Sequence, residues 1–165
     1  MSVFILNEAE WKFNFDYQII AQQVIEECLR VEEFDLKAEI NMTLVHEEEI
    51  KAINGEQRQI DSVTDVLSFP MLEFEEPGVF LADEIKFNLN PDTDEVMLGD
   101  IVICCERMEA QALEYDHSVL REYAFLIAHS MFHLMGYDHM TKEEEQQMFQ
   151  KQDQVLTNLG ITRGE

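Results

Sequence analysis

Three of the chain's five histidines fall within eleven residues, in the run His129-Ser-Met-Phe-His133-Leu-Met-Gly136-Tyr-Asp-His139. His129 and His133 stand four residues apart, so on a helix they share one face, one above the other. His139 is six residues further on, and a continuing helix would carry it to the wrong side. Gly136 answers this, because glycine is the residue that most readily takes the left-handed conformation just past a helix end. The chain can turn there and bring His139 back to the other two. Three neutral imidazoles converging on one point suit a borderline transition metal, above all Zn²⁺. Three protein ligands rather than four describe a catalytic site with a position open to water. Because the ligands must be neutral, metal occupancy is expected to fall as the pH drops below about 6.5.

The element that carries the pair must be rigid for such a site to work. From Ser118, a capping residue with Glu122 in the first turn, the sequence predicts a helix that is apolar almost all round, from Val119 and Leu120 to Leu134 and Met135. Such a helix belongs at the centre of a fold. Thr141-Lys-Glu-Glu144 reads as a capping box opening a last helix that ends near Gly160. Upstream, Val3 to Leu6 reads as a strand. Asp16 caps a helix to about Glu33, with Ile20, Val24 and Cys28 towards the core. Ala38 to Val45 alternates as a strand, and Glu47, Glu48 and Glu49 open a short helix that Asn54-Gly55 ends. Val63 to Phe69 is strand-like and stops at Pro70. Residues 71–97, with Pro77, Gly78 and Pro91, read as a long and partly irregular excursion. Leu98 to Cys104 is a second strongly apolar strand, followed by a helix from about Glu106 to Tyr115. The expected fold is α+β, a small mixed β-sheet packed with helices, formed by residues 1–165 as one domain with a zincin-like central helix bearing the histidines.

Composition narrows the class. The chain of 165 residues has 46% hydrophobic residues and a formal net charge of -24. It is globular rather than disordered, and so acidic a balance is not the usual footprint of a nucleic-acid binder. The acids between Glu73 and Glu95 read as a solvated surface. No apolar run approaches the ~20 residues that span a bilayer, and the N-terminus lacks the basic region of a secretory signal. Cys28, Cys104 and Cys105 form no CxxC pair and read as reduced thiols of a cytoplasmic protein, the last two most simply as core residues.

The spacing H-x-x-x-H-x-x-G-x-x-H is that of the metzincin metalloproteases. Those enzymes place a glutamate, the general base, directly after the first histidine. Ser130 holds that position here, and a serine of ordinary pKa is no base near neutral pH. The ligand set is present and the peptidase's base is not.

The run from His129 to His139 resembles the signature of the YbeY family of bacterial rRNA maturation endoribonucleases, which is close to H-G-x-L-H-L-x-G-Y-D-H. Two further segments resemble the family in the same order. One is Arg58 followed by Thr64-Asp65-Val66-Leu67-Ser68-Phe69-Pro70, and the other is Leu98-Gly99-Asp100-Ile101-Val102-Ile103. The departures are Ser130 for the usual Gly and Phe132 for the usual Leu. The resemblance implies one Zn²⁺ held by His129, His133 and His139, with Arg58 as the other functional residue. It also implies a single-strand-specific, metal-dependent endoribonuclease acting in rRNA maturation and ribosome quality control, with RNA and the ribosome or its proteins as partners and no membrane. Arg58 would offer a planar, permanently charged fork to the oxygens of a phosphodiester; on the residue alone, a surface salt bridge is the simpler reading. Asp138 can orient a ligand imidazole or cap the turn, Asp65 and Asp100 are turn or partner-binding candidates, and His46 and His117 read as structural or exposed. Two other functions remain open at this stage. One is a metallopeptidase with an unconventional base, and the other a non-catalytic, zinc-stabilised ribosome assembly factor. The second requires a fourth protein ligand, for which Cys104, Cys105, Asp138 and His117 are the evident suppliers.

Overall fold

The two central strands are buried on both faces, and the rest of the architecture follows from the need to cover them. In the computed structural model, which describes residues 1–162, these are β2 (Ala38–Val45) and β4 (Val96–Cys104). Near-continuous apolar runs such as Ile101-Val102-Ile103 suit parallel strands with helices on either side. The strands β1 (Ser2–Asn7) and β3 (Val66–Pro70) complete a four-stranded sheet in the order β1-β2-β4-β3. β1 runs parallel to β2 and β2 to β4, while β3 lies antiparallel on the edge, with Phe69 opposite Asp100. Pro70 ends that edge strand, where a missing N–H is tolerated. The mixed α+β sheet expected from the sequence is present.

The parallel pairs require crossovers, and α1 (Tyr17–Val31) and α2 (Glu47–Arg58) begin two of them. Asp16 caps α1 as expected, accepting from the N–H groups of Gln18 and Ile19. α2 departs from expectation. It does not stop at Asn54-Gly55 but runs on to Arg58, and Gln59 supplies the left-handed residue at φ 58°. Asn54 is buried and its amide donates to the carbonyl of Ser62 at 3.1 Å, so it braces the following loop instead of ending the helix. The extra turn sets Arg58 at the helix's last position.

The excursion after β3 contains one short helix, α3 (Ala82–Phe87), and is tied back by the N–H of Met71 to Leu98 and of Gly78 to Met135. The helices α4 (Cys105–Glu114), α5 (Val119–Leu134) and α6 (Lys142–Asn158) follow β4. α5 is the central helix. Leu126, Ile127, Ala128, Met131, Phe132 and Leu134 are all buried on it, against α1, α4, α6 and the sheet. Each large side chain buried there contributes roughly 1.5–3 kcal/mol. Gly99 permits the closest approach to the sheet. A Cβ on it would lie 2.3 Å from the carbonyl oxygen of Phe69 and 2.8 Å from Leu134.

Candidate metal centre

The end of α5 turns as its sequence requires. Gly136 has φ 94°, its N–H bonds to the carbonyl of His133, and the N–H of Tyr137 bonds to that of Phe132. Both bonds satisfy carbonyls that a helix end otherwise leaves unpaired. The turn is packed as well as bent, since a Cβ on Gly136 would meet the ring of Phe74 at 2.6 Å. It brings the carbonyl of Tyr137 back over its own helix, 3.0 Å from Nδ1 of His133. The Asp138 carboxylate accepts the N–H of His139 at 2.8 Å, so of its two expected roles it takes the capping one.

The result is a cluster. Ring centroids of His129 and His133 lie 4.7 Å apart, those of His133 and His139 5.1 Å, and those of His129 and His139 5.7 Å. One nitrogen from each ring falls within 4.8 Å of the others, a group that could hold a metal ion. The chemistry of the group fits one. Burial, and then the neighbouring His133 and His139, bring the pKa of His129 down to about 4. Burial followed by His139 lowers that of His133. Both rings are therefore held neutral, the form that offers a lone pair.

Among the described residues, no Cys, Asp or Glu joins the three within that distance. Of the four candidates for a fourth ligand, Asp138 lines the cavity but does not join the group, and the other three are placed elsewhere. His117 is buried 2.6 Å from the carboxylate of Glu122. Cys104 and Cys105 are core thiols pushed up by burial to about 11 and about 12. His46 caps α2 and pairs with Glu106 at 2.7 Å.

A cavity of about 690 Å³ opens over the histidines and is lined by Arg58, Thr64, Asp65 and Ser68 on the opposite side. Arg58 makes no ion pair among the described residues, and its charge is near enough to His133 to lower that ring's pKa. Arg58 and the three histidines thus line one cavity, and the surface salt bridge expected for Arg58 is absent among the described residues. Asp65 also lines the cavity, but its carboxylate is occupied, accepting from the N–H of Val66 and the amide of Gln111. Asp100 is exposed on β4 and outside the lining. Past the histidines the cavity meets a smaller hollow of about 330 Å³, which shares Asp65, His129 and His139 with it and adds Phe125, Met148 and Phe149.

Sequence reasoning missed one neighbour of the cluster. Gln152, on α6, is buried and lies 2.7 Å from Nδ1 of His129. Its only local signal was a polar residue between the apolar positions Met148 and Val155.

Fold and cluster together define a zincin-like α+β protein with a three-histidine group on its central helix and the turn that closes it. The sequence model of the family described as Endoribonuclease YbeY matches residues 4–160, and the chain belongs to that family. It is 54% identical over 165 residues to the Endoribonuclease YbeY of Agathobacter rectalis, covering 99% of this chain and 100% of the relative. It is 49% identical to that of Lachnospira eligens, with the same coverage. The solution structure of TM1509 from Thermotoga maritima is similar at 25% identity with a TM-score of 0.57, over 95% of this chain and 91% of that one.

Proposed function

We propose that this chain, acting as one domain, is a metal-dependent endoribonuclease specific for single strands, working in the cytoplasm in rRNA maturation and ribosome quality control. The observation that carries the reading is that Arg58 and the three histidines line one cavity in a chain whose relatives are named endoribonucleases. His129, His133 and His139 hold the ion, and the nitrogen-only donor set favours Zn²⁺. Such an ion, when bound, lowers the pKa of a water towards ~7 and polarises a phosphoryl oxygen. The chain's own residues supply the rest. The turn at Gly136 fixes the third imidazole, and the Tyr137 carbonyl fixes the hydrogen of His133 on Nδ1. Arg58 presents its guanidinium to the oxygens on which charge builds as a phosphodiester is cut.

Two features support single strands as the substrate. The cavity and the hollow meet at the histidines, so a strand crossing the ion has room for a nucleotide on either side. Phe149 stands 58% exposed at the hollow, and aromatic faces stack unpaired bases. The acidity of the chain bears on delivery. Arg58 is the single Lys or Arg in the cavity lining, beside Asp65 and Asp138. A ribosomal partner therefore brings the RNA, in place of a basic groove. No helix of the described residues is long and apolar enough to cross a membrane.

Ser130 is fully buried, so it offers a peptidase no base at the position of the metzincin glutamate. Incubating Zn²⁺-loaded protein with single-stranded RNA and with casein, each with and without chelator, tests the proposal. Chelator-sensitive cleavage of RNA with intact casein is the expected result. Chelator-sensitive proteolysis with intact RNA would overturn it.

A further inference from the structure

His129 and Gln152 meet where α6 packs on the central helix, and Gln152 is only 3% exposed. Its amide nitrogen lies 2.7 Å from Nδ1 of His129. A neutral imidazole has one N–H, so the hydrogen on one nitrogen decides which nitrogen keeps a lone pair. At His133 the matter is settled by the Tyr137 carbonyl, which can only accept; Nδ1 carries the hydrogen and Nε2 is free. At His129 the partner is an amide, which carries both a donor and an acceptor and can hold either tautomer of the ring. Only the amide oxygen, accepting from Nδ1, leaves the Nε2 lone pair for an ion.

No other hydrogen bond of the Gln152 side chain is present among the described residues, so the amide is free to present its oxygen to the ring. We propose that Gln152 is a positioning residue of the metal centre, its Oε1 holding the His129 hydrogen on Nδ1. The proposal rests on the reading of the three histidines as ligands. It makes Gln152 the buried partner that a metal-binding histidine ordinarily has on its far nitrogen.

The test compares Zn²⁺ affinity, measured against a competing chelator, for the full chain and two variants. Gln152→Met keeps the bulk and removes the acceptor; it should weaken Zn²⁺ binding about 10- to 100-fold. Gln152→Glu is acceptor-only and should bind Zn²⁺ at least as tightly as the wild type. A residue that merely filled space would give the reverse order, because methionine packs better than a buried carboxylate. Melting of the metal-free variants separates folding from binding. In the Zn²⁺-loaded wild type, ¹⁵N-detected imidazole spectra should place the His129 hydrogen on Nδ1. Equal affinity of Gln152→Met and wild type, or a hydrogen on Nε2 in the loaded protein, would overturn the proposal. A wild type that binds no Zn²⁺ would bring down the three-histidine reading itself, and the proposal with it.

Discussion

Ser130 and Ser68 share a hydrogen bond, Oγ to Oγ at 2.5 Å, across the contact between α5 and β3. Ser130 occupies the position at which a metzincin carries its catalytic glutamate, and here that residue is fully buried, outside the cavity lining and bonded to a strand serine that belongs to it. Its hydroxyl holds the histidine-bearing helix to the strand beside it. Ser130→Ala should therefore cost on the order of 1 kcal/mol of stability, as for a lost buried hydrogen bond, while RNA cleavage per folded molecule stays unchanged. Denaturant melts and turnover of the same preparation check both halves. Loss of activity without loss of stability would mean that the hydroxyl takes part in the chemistry.

Metal removal should destabilise the fold. The three histidines lie on the central helix and on the turn that closes it, so an ion bound only to the folded state adds stability by mass action. At about 100 times its dissociation constant it should raise the melting temperature by about 5–10 °C. An unchanged melting temperature after chelation would contradict this. Burial, with His133 and His139, brings His129 down to about 4, so protons compete for that ligand at lower pH than the 6.5 of an ordinary histidine. The sign for the metal-free protein follows. Between pH 6.5 and 4 the unfolded chain takes up the proton first, so stability falls as the pH drops through that window.

His46 shifts the other way. The Glu106 carboxylate 2.7 Å from its ring raises its pKa, against a smaller opposing effect of desolvation. The stability it contributes is fully present below about pH 6.5 and is lost as the pH rises through the raised value. An NMR titration should find the His46 midpoint above that of a free histidine, and Glu106→Gln should bring it down. Coincident midpoints in the two proteins would remove Glu106 as the cause.

Phe149 should matter to substrate and not to fold. It is 58% exposed, so Phe149→Ala removes little packing. Loss of one stacked base should weaken use of single-stranded RNA by about 10-fold, mainly through KM. Steady-state kinetics on short RNA oligomers measure it, and an unchanged KM would take the base out of the hollow.

Much of this arrangement was legible in the chain because it is encoded locally. The caps Asp16, Ser118 and Thr141 each accept from N–H groups two or three residues on, a relationship written within one turn. The histidine cluster was legible for the same reason, since helix period and one glycine bring all three rings together. What was not legible depends on partners distant in sequence. Asn54 fails to end α2 because folding supplies the carbonyl of Ser62. Gln152 sits on a helix rich in Glu and Gln, and nothing nearby in sequence shows that its partner is a histidine 23 residues earlier. Arg58 shares a cavity with the histidines only through the fold, since the sheet sets β3, the strand after α2, against α5.

The central claim is that a phosphodiester is cut between Arg58 and the histidines. The most direct measurement is the rate of single-stranded RNA cleavage by Zn²⁺-loaded Arg58→Ala against wild type, with metal content determined on the same samples. Removing one such donor should lower the rate around 10²-fold or more while metal content and melting temperature hold, and Arg58→Lys should recover only part of it. Wild-type cleavage by a fully loaded Arg58→Ala would contradict the account.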